Sequence, residues 1–309
     1  QGRLGIATGL VVAGDISGAG EAEEHAVLGM TPNLAARLQS IAKPNTLVIS
    51  NNTRDLTGGF FDYQDMGKHE LKGITEPEQA WQVMGEKETS GRFEAASEKG
   101  VTPLVGREEE ISLLTNRWQR AVDGDGQVAI LFGEAGVGKS RIVDGFLKRI
   151  SDDPKGTIYL SCSPFHSNSA FYPLTQCFHR VMDIQSGDTS DQRVEKMEKF
   201  IADLDLEIDI IAPPMGAILI ESTDSPYPPL SGTPEQIKNQ IFEVIFQLLA
   251  AQCAARPMLF IVEDTHWIDP STLEFLDQLI PQLRRLRVLL VVAARLSFSV
   301  VWSGLPHVP

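Results

Sequence analysis

The stretch QVAILFGEAGVGKS at residues 127–140 decides how the second part of this chain folds. It begins with a short, continuously apolar run at 127–132, which is typical of a strand buried in a parallel sheet. The next eight residues, GEAGVGKS at 133–140, match the pattern G-x-x-x-x-G-K-[ST] in full. A helix is predicted to begin at Lys139. A strand, a glycine-rich turn and a helix in this order predict an α/β domain with a phosphate-binding loop (P-loop).

Each part of this pattern has a chemical reason. The glycines Gly133, Gly136 and Gly138 let the backbone turn so that successive N–H groups point at phosphate oxygens. The following helix adds the positive end of its dipole. Lys139 supplies a cation for the β- and γ-phosphates, and Ser140 supplies a hydroxyl for Mg²⁺. The alternative is a glycine-rich turn that binds nothing, and the flanking strand and helix argue against it.

Two later strands are predicted to bring further chemistry to this loop. The apolar run at 258–262 ends in Glu263 and Asp264, at the strand end where parallel sheets place ligand chemistry. One carboxylate, Glu263, is expected to hold the metal while Asp264 polarises water. Arg295 closes the next apolar strand and is expected to reach the γ-phosphate. The alternatives are a solvated strand end for the two carboxylates and an ordinary exposed arginine.

Strands and helices alternate along this second segment. Helices are predicted at 108–122, from 139, at 171–182, from a capping box at 233 to about 255, and at 271–283. Strands are predicted at 127–132, 157–161, 258–262 and 288–293. The polar residues 183–191 and the proline-rich residues 213–229 are predicted to be irregular. The alternation predicts a parallel sheet with helices on both faces.

The first segment mixes strands with one clear helix. Strands are predicted at 4–13, 46–50, 60–63 and 80–84, and the helix is expected to begin at Thr31-Pro32 with Thr31 as its N-cap. Leu34, Leu38 and Ile41 follow helical spacing and define a buried stripe. The sequence thus divides into a first domain at 1–85, a charged linker at 86–101 and a second domain at 102–309.

Asn33 and Arg37 lie one helical turn apart on a face beside this apolar stripe. An Asn–Arg pair can hold a ribose oxygen and stabilise the charge that builds on a phosphoryl group. The spacing alone fits ordinary surface residues equally well.

Composition excludes several classes of function. With 41 Asp and Glu against 27 Lys and Arg, the formal charge is −14, which argues against a dedicated nucleic-acid binder. The cysteines Cys162, Cys177 and Cys253 are too few and too far apart for a disulfide framework, as expected in a reducing cytoplasm. The longest apolar stretch, 286–294, is far too short to cross a membrane.

Three stretches of the second segment carry a family resemblance: TPLVGRE at 102–108, GEAGVGKS at 133–140 and VEDTHWID at 262–269. Together they resemble the AAA-like ATPase domains of signal-transducing (STAND-type) NTPases over residues 102–309. The acidic strand end of that family usually reads Asp-Asp or Asp-Glu, whereas Glu263 stands first here. The resemblance implies ATP and Mg²⁺ as cofactors. The nucleotide-binding residues are then expected to be Val105, Gly106 and Arg107 near the adenine, with Gly133, Gly136, Val137, Gly138, Lys139 and Ser140 at the phosphates.

The stretches LGIATG at 4–9, GMTPNLAARL at 29–38 and LKG at 71–73 carry a second resemblance. They resemble the C-terminal half of a class III nucleotide cyclase catalytic domain. This implies that Asn33 and Arg37 are the transition-state pair and that the metal-binding aspartates lie upstream of Gln1. It also implies a homodimer in which two chains build each site. CSPFH at 162–166 resembles the bacterial subgroup that carries such an ATPase behind a cyclase domain.

We therefore expect an α/β chain in which a truncated α+β cyclase domain precedes a P-loop ATPase domain, also truncated, in a cytoplasmic signalling protein. Because the chain opens at Gln1 and ends at LPHVP, it is expected to be an internal fragment. The fragment is expected to bind ATP without cyclising it, with neither nucleic acid nor membrane as partner. The parent protein is expected to convert a nucleoside triphosphate, with ATP as the expected substrate, to a cyclic nucleotide and pyrophosphate.

Two alternatives stay open at this stage. The P-loop domain can be a tight nucleotide-binding module with negligible hydrolysis. The chain can also be an interaction scaffold that carries a degenerate cyclase remnant. ATP turnover that is lost in Glu263→Gln and Asp264→Asn argues against the first alternative, and intact upstream metal-binding aspartates argue against the second.

Overall fold

The computed structural model describes residues 2–15, 25–58, 61–74, 76–86, 105–153, 155–185, 187–220, 224–298, 302 and 307–308. The chain divides into two compact units, Gln1–Val101 and Thr102–Pro309. Apart from Glu86, the expected linker at 86–101 lies outside the described residues.

The first unit is an α+β structure built on a four-stranded sheet. Its strands are β1 (Arg3–Ile6), β2 (Val12–Asp15), β3 (His25–Leu28), β4 (Thr46–Ser50), β5 (Phe61–His69) and β6 (Glu78–Glu86), and its helices are α1 (Met30–Ile41) and α2 (Asn51–Thr57). The sheet order is β1-β4-β6-β5, with β1 and β4 parallel and the other pairs antiparallel. Strands β2 and β3 form a separate antiparallel pair.

The apolar stripe of α1 packs as the spacing predicts. Leu38 is fully buried in a small core, with Leu34 and Ile41 packed against it. The approach of α1 to β1 is so close that a Cβ at Gly5 would lie 2.2 Å from the carbonyl oxygen of Ala35. Glycine at this position in β1 therefore allows the helix to lie directly on the strand.

Two local predictions for this unit are wrong, and one helix was missed. The predicted strand at 4–13 is two strands, β1 and β2, because the chain leaves the sheet between them. The N-cap of α1 is Gly29 and not Thr31, whose hydroxyl instead donates to the carbonyl oxygen of Leu10 at 2.9 Å. Helix α2 was not predicted, and it begins after Ser50, whose side chain accepts a hydrogen bond from the Thr53 N–H.

The second unit alternates strands and helices. Its helices are α3 (Glu108–Val122), α4 (Lys139–Arg149), α5 (Tyr172–Val181), α6 (Ser190–Ala202), α7 (Ile208–Leu219), α8 (Pro234–Ala255) and α9 (Pro270–Leu279), and its strands are β7 (Gln127–Phe132), β8 (Gly156–Ser161), β9 (Met258–Glu263) and β10 (Val288–Ala294). Two 3₁₀ helices, Thr265–Trp267 and Ile280–Arg285, flank α9.

The predicted parallel sheet is confirmed. Its four strands run in the order β7-β10-β9-β8, and every neighbouring pair is parallel. One face, with Ile261 and Val291, packs on apolar side chains of α3 and α4. The other face, with Phe260 and Leu290, packs on the larger core formed with α5 to α9. Because both faces are covered, the inner strands β9 and β10 are almost continuously apolar, and the carboxyl ends of the four parallel strands form one edge.

Two predictions of irregular structure in this unit are corrected. Residues 208–219 form α7 despite Pro213 and Pro214, which cannot donate backbone hydrogen bonds. Ala212, Met215 and Leu219 are buried, so packing holds this helix together. The segment predicted as a loop at 183–191 ends in the first turn of α6. Among the described residues, none of the helices combines the length and apolar character needed to span a membrane.

Candidate functional site

The glycine-rich turn lies between the end of β7 and the start of α4. Gly136 and Gly138 have φ angles of 82° and 93°, which glycine adopts without the strain that other residues incur. A Cβ at Gly133 would lie 2.7 Å from Cγ2 of Val137, so a larger residue at the first position of the turn would collide with that side chain. Gly138 is the N-cap of α4, so this helix begins directly at the turn and presents its N-terminal end there. This geometry is suited to an anion.

The Lys139 ammonium lies across this turn. Its Nζ donates to the carbonyl oxygens of Gly133 at 2.8 Å and Glu134 at 3.0 Å. Ser140 follows in the first turn of α4 and is half-buried. A cation and a hydroxyl therefore stand beside the N–H groups at the same helix end.

Arg107 connects the segment before α3 to the turn. Its Nη2 donates to the carbonyl oxygen of Val137 at 3.2 Å, and its Nη1 forms a 2.6 Å ion pair with Glu110. The hydrogen bond from Arg107 lowers the pKa of the Glu110 carboxyl. Val105 and Gly106 precede Arg107 and are exposed, and Gly106 has a φ of 74°. The structure thus brings Arg107 to the turn.

Glu263 and Asp264 lie at the carboxyl end of β9, an inner strand of the sheet. Glu263 is 4% exposed, and the hydroxyl of Tyr159 on β8 donates to its Oε2. Asp264 is partly exposed and has a φ of 55°, in the left-handed region that few residues other than glycine adopt. The following 3₁₀ turn is fixed to β10, because the buried Thr265 hydroxyl donates to the Ala293 carbonyl at 2.9 Å. The two carboxylates therefore stand at the same sheet edge as the glycine-rich turn.

Arg295 directly follows β10 at this edge. Its guanidinium lies over the Trp267 ring, 5.5 Å from the ring centroid. This cation–π contact fixes where the side chain rests. Its expected reach to a γ-phosphate stays a prediction.

Sequence reasoning missed two polar residues at this edge, Tyr159 and Asp269. Asp269 is fully buried, and its Oδ1 accepts hydrogen bonds from the N–H groups of Ser271, Thr272 and Phe171 at 3.0–3.1 Å. It therefore caps α9 and also holds the segment before α5. The sequence Asp-Pro at the start of a helix is an N-terminal signal that marks this capping role. No local signal marks Tyr159, because its partner lies 104 residues away.

The Cys162–His166 element lies next to the acidic strand end. Burial raises the pKa of the Cys162 thiol, and the nearby carboxylates of Asp269 and Asp264 raise it further. The thiol therefore stays protonated and is a poor nucleophile or metal ligand. His166 stacks on Tyr172 with ring centroids 3.7 Å apart. Within the described parts of the chain, no three His, Cys, Asp or Glu side chains form a metal-binding group.

In the first unit, Asn33 and Arg37 are both exposed on α1. The Nε of Arg37 donates to the carbonyl oxygen of Lys72 at 3.1 Å, in the turn between β5 and β6. This contact holds the guanidinium at that turn. The structure thus leaves the pair on the helix surface, as the spacing predicts.

Comparison with known families identifies both units. Residues 103–292 match the AAA ATPase domain family, so the chain belongs to that family. Residues 1–85 match the catalytic domain of adenylate and guanylate cyclases. The chain therefore carries a cyclase-type domain followed by an AAA-type ATPase domain, as the two sequence resemblances predict.

A curated relative covers almost the whole chain. The uncharacterized protein R02095 of Rhizobium meliloti (strain 1021) is 29% identical over 307 residues, which is 98% of this chain. The alignment spans only 29% of that relative's length. Similarity over both units shows that their order recurs in a longer protein.

Solved structures of cyclases match part of the chain. The adenylyl cyclase CyaB from P. aeruginosa is 33% identical over 26% of this chain and 41% of its own, with a TM-score of 0.25. The guanylate cyclase domain of RhGC from Catenaria anguillulae, solved with GTP, is 31% identical over 28% of this chain and 45% of its own, also with a TM-score of 0.25.

Proposed function

We propose that the second unit binds Mg·ATP at residues 133–140 and acts as a nucleotide-dependent regulatory switch of the STAND type. The observation that carries this proposal is the turn itself, with two left-handed glycines at the start of α4 and the Lys139 ammonium bonded across it. Membership of the AAA ATPase domain family supports it.

The side chains at the sheet edge suit the parts of this ligand. Lys139 and the N-terminus of α4 would bind the phosphates, and Ser140 with Glu263 would hold Mg²⁺. A hydroxyl and a carboxylate are the hard oxygen donors that Mg²⁺ prefers, and the bound ion would neutralise charge between the β- and γ-phosphates. Asp264 would orient water, and Arg295 would stabilise charge on the γ-phosphate. The Arg107 contact to the turn supports placing the adenine near Val105 and Gly106.

We expect Glu263→Gln and Asp264→Asn each to reduce ATP turnover by about 10²–10³, the usual cost of losing one electrostatic group at a reacting centre. Phosphate release and Mg·ATP affinity should be measured on the same preparations. Glu243→Gln is a matched control, since Glu243 is an exposed carboxylate on α8 that accepts a hydrogen bond from Gln247 on the same helix.

The same measurements separate hydrolysis from binding alone. A parent chain that binds Mg·ATP tightly without measurable turnover is a nucleotide-binding switch and not an ATPase. A parent chain with no affinity for Mg·ATP contradicts the whole proposal and leaves the scaffold alternative.

We also propose a cyclase activity, with ATP as the substrate, for a protein that carries the complete cyclase catalytic domain. The match over residues 1–85 supports it, together with the exposed pair Asn33 and Arg37 on α1. Two chains would build each site, so a homodimer is the expected partner arrangement. The 309-residue chain alone is expected to form no cyclic nucleotide, because residues 1–85 resemble only the half without the metal-binding aspartates.

In such a complete protein, Arg37→Ala should reduce cyclic nucleotide formation by about 10²–10³. A group that meets charge mainly in the transition state affects turnover more than binding. Lys43→Ala is the control, since Lys43 is an exposed cation just beyond α1. Cyclic nucleotide and phosphate release are assayed together, with circular dichroism to check folding. A folded Arg37→Ala protein with parental cyclase turnover would show that Arg37 is an ordinary surface residue.

The cytoplasm is the proposed location. All three cysteines of the chain are buried free thiols, which suits a reducing compartment.

A further inference from the structure

The hydrogen bond between Tyr159 and Glu263 joins two neighbouring strands at the candidate site. Strands β8 and β9 are parallel, and Tyr159 pairs in register with Ile261. Side chains two residues apart on a strand share a face, so Tyr159, Ile261 and Glu263 lie on the same face of the sheet. That face packs against Ile142 and other apolar residues of α4, the helix that begins at the glycine-rich turn.

The tyrosine ring is itself firmly placed. Tyr159 is partly buried and packs against the apolar cluster formed by α3, α4 and the sheet, which restricts the ring. The guanidinium of Arg180 on α5 donates to the backbone carbonyl oxygen of Tyr159. Because β8 is an edge strand, this bond occupies an outward-facing carbonyl and fixes the strand locally. The ring and the backbone of Tyr159 are therefore both held in place where its hydroxyl bonds to Glu263.

Glu263 needs such a fixed partner more than an aspartate would. A glutamate carboxylate is separated from the backbone by one more rotatable bond, and holding it in one rotamer costs more conformational entropy. Glu263 is almost fully buried, and a hydrogen bond from a hydroxyl to one carboxylate oxygen is charge-assisted and directional. The bond selects one orientation of the carboxylate at the end of β9.

We propose that Tyr159 is a positioning residue that orients Glu263 toward Mg²⁺ in the nucleotide site. This inference rests on the Mg·ATP site proposed above. Tyr159 acts through Glu263 and does not touch the nucleotide. The competing explanation is purely structural, in which the hydroxyl only satisfies a buried carboxylate.

The test uses Tyr159→Phe in the 309-residue chain, which removes the hydroxyl and keeps the ring. ATP affinity is measured by calorimetry over a series of Mg²⁺ concentrations and also in EDTA. We expect the Mg²⁺ concentration for half-maximal enhancement of binding to rise about fivefold or more. Affinity in EDTA should change less than twofold, because the phosphate contacts do not involve Tyr159. Where the parent hydrolyses ATP, its kcat should fall about tenfold with KM within twofold.

Tyr227→Phe is the matched control. It removes a hydroxyl that also donates to a glutamate, Glu198, at 2.7 Å, on α6. The Mg²⁺ dependence of ATP binding by Tyr227→Phe should equal that of the parent. A double-mutant cycle with Glu263→Gln tests whether Tyr159 acts through Glu263. Once the carboxylate is gone, Tyr159→Phe should have no further effect on the Mg²⁺ dependence of ATP binding.

The outcomes separate the inference from the proposed function. An unchanged Mg²⁺ dependence in Tyr159→Phe overturns the inference alone. Equal losses with and without Mg²⁺, or unfolding of the variant, also overturn it, because they show a structural role. A parent chain whose ATP binding does not depend on Mg²⁺ contradicts the proposed site and the inference together.

Discussion

Gly126 lies where the chain enters β7, against the backbone of the 3₁₀ segment Ile280–Arg285. A Cβ at this position would lie 2.0 Å from the carbonyl oxygen of Leu283 and 2.9 Å from that of Leu286. The atoms that this Cβ would meet all belong to the backbone, so they can move little to make room for it. Glycine is therefore required here by close approach and not by a special φ angle.

We expect Gly126→Ala to lower the free energy of unfolding by about 1 kcal/mol or more, because overpacking usually costs about 1–3 kcal/mol. Urea unfolding of the chain measures this. Gly187→Ala is the control, because a Cβ there meets nothing within 4 Å, and its effect should stay within about 0.5 kcal/mol. Equal stabilities of the two variants would contradict the steric argument.

The residues of the candidate site could be predicted from sequence where the signal is local. The pattern at 133–140 and the carboxylates at 263–264 each follow an apolar strand, and the structure brings both to one sheet edge. Tyr159 could not be predicted, because its contact with Glu263 depends on strand order, which one sequence does not reveal.

At the scale of helices, one capping signal predicted the start of α8 correctly, whereas Thr31-Pro32 misplaced the N-cap of α1. Thr233 and Gln236 form the predicted capping box that opens α8. The same signature stands at Thr189 and Gln192 and opens α6, whose first two residues belong to the segment 183–191 that polar composition predicts to be a loop. Helix α7 was missed because Pro213 and Pro214 argue locally against a helix, while its stability comes from burial against the core.

Thr233→Ala should lower the free energy of unfolding by about 1 kcal/mol, since the Gln236 N–H loses its acceptor. Thr233→Ser keeps the hydroxyl and should remain within about 0.5 kcal/mol of the parent. Chemical denaturation with circular dichroism detection compares the three proteins. An alanine variant as stable as the serine variant would mean that the box adds nothing to the stability of α8.

At the scale of the whole molecule, the chain joins two units with different chemistry. The first carries an exposed Asn–Arg pair on α1, and the second carries a glycine-rich turn with carboxylates at the same sheet edge. The sequence stretches that carry the two family resemblances predicted both units and their order along the chain. The segment that joins them, residues 87–101, lies outside the described residues.

The central claim is that the second unit binds Mg·ATP through Lys139, and titration calorimetry of the parent and Lys139→Ala tests it most directly. Removing the ammonium deletes charge-assisted hydrogen bonds to phosphate, so affinity should fall by about 1.5–3 kcal/mol, or about 10- to 150-fold. Lys148→Ala, which removes an exposed cation near the other end of α4, should bind like the parent. Equal affinities for the parent and Lys139→Ala would contradict the account.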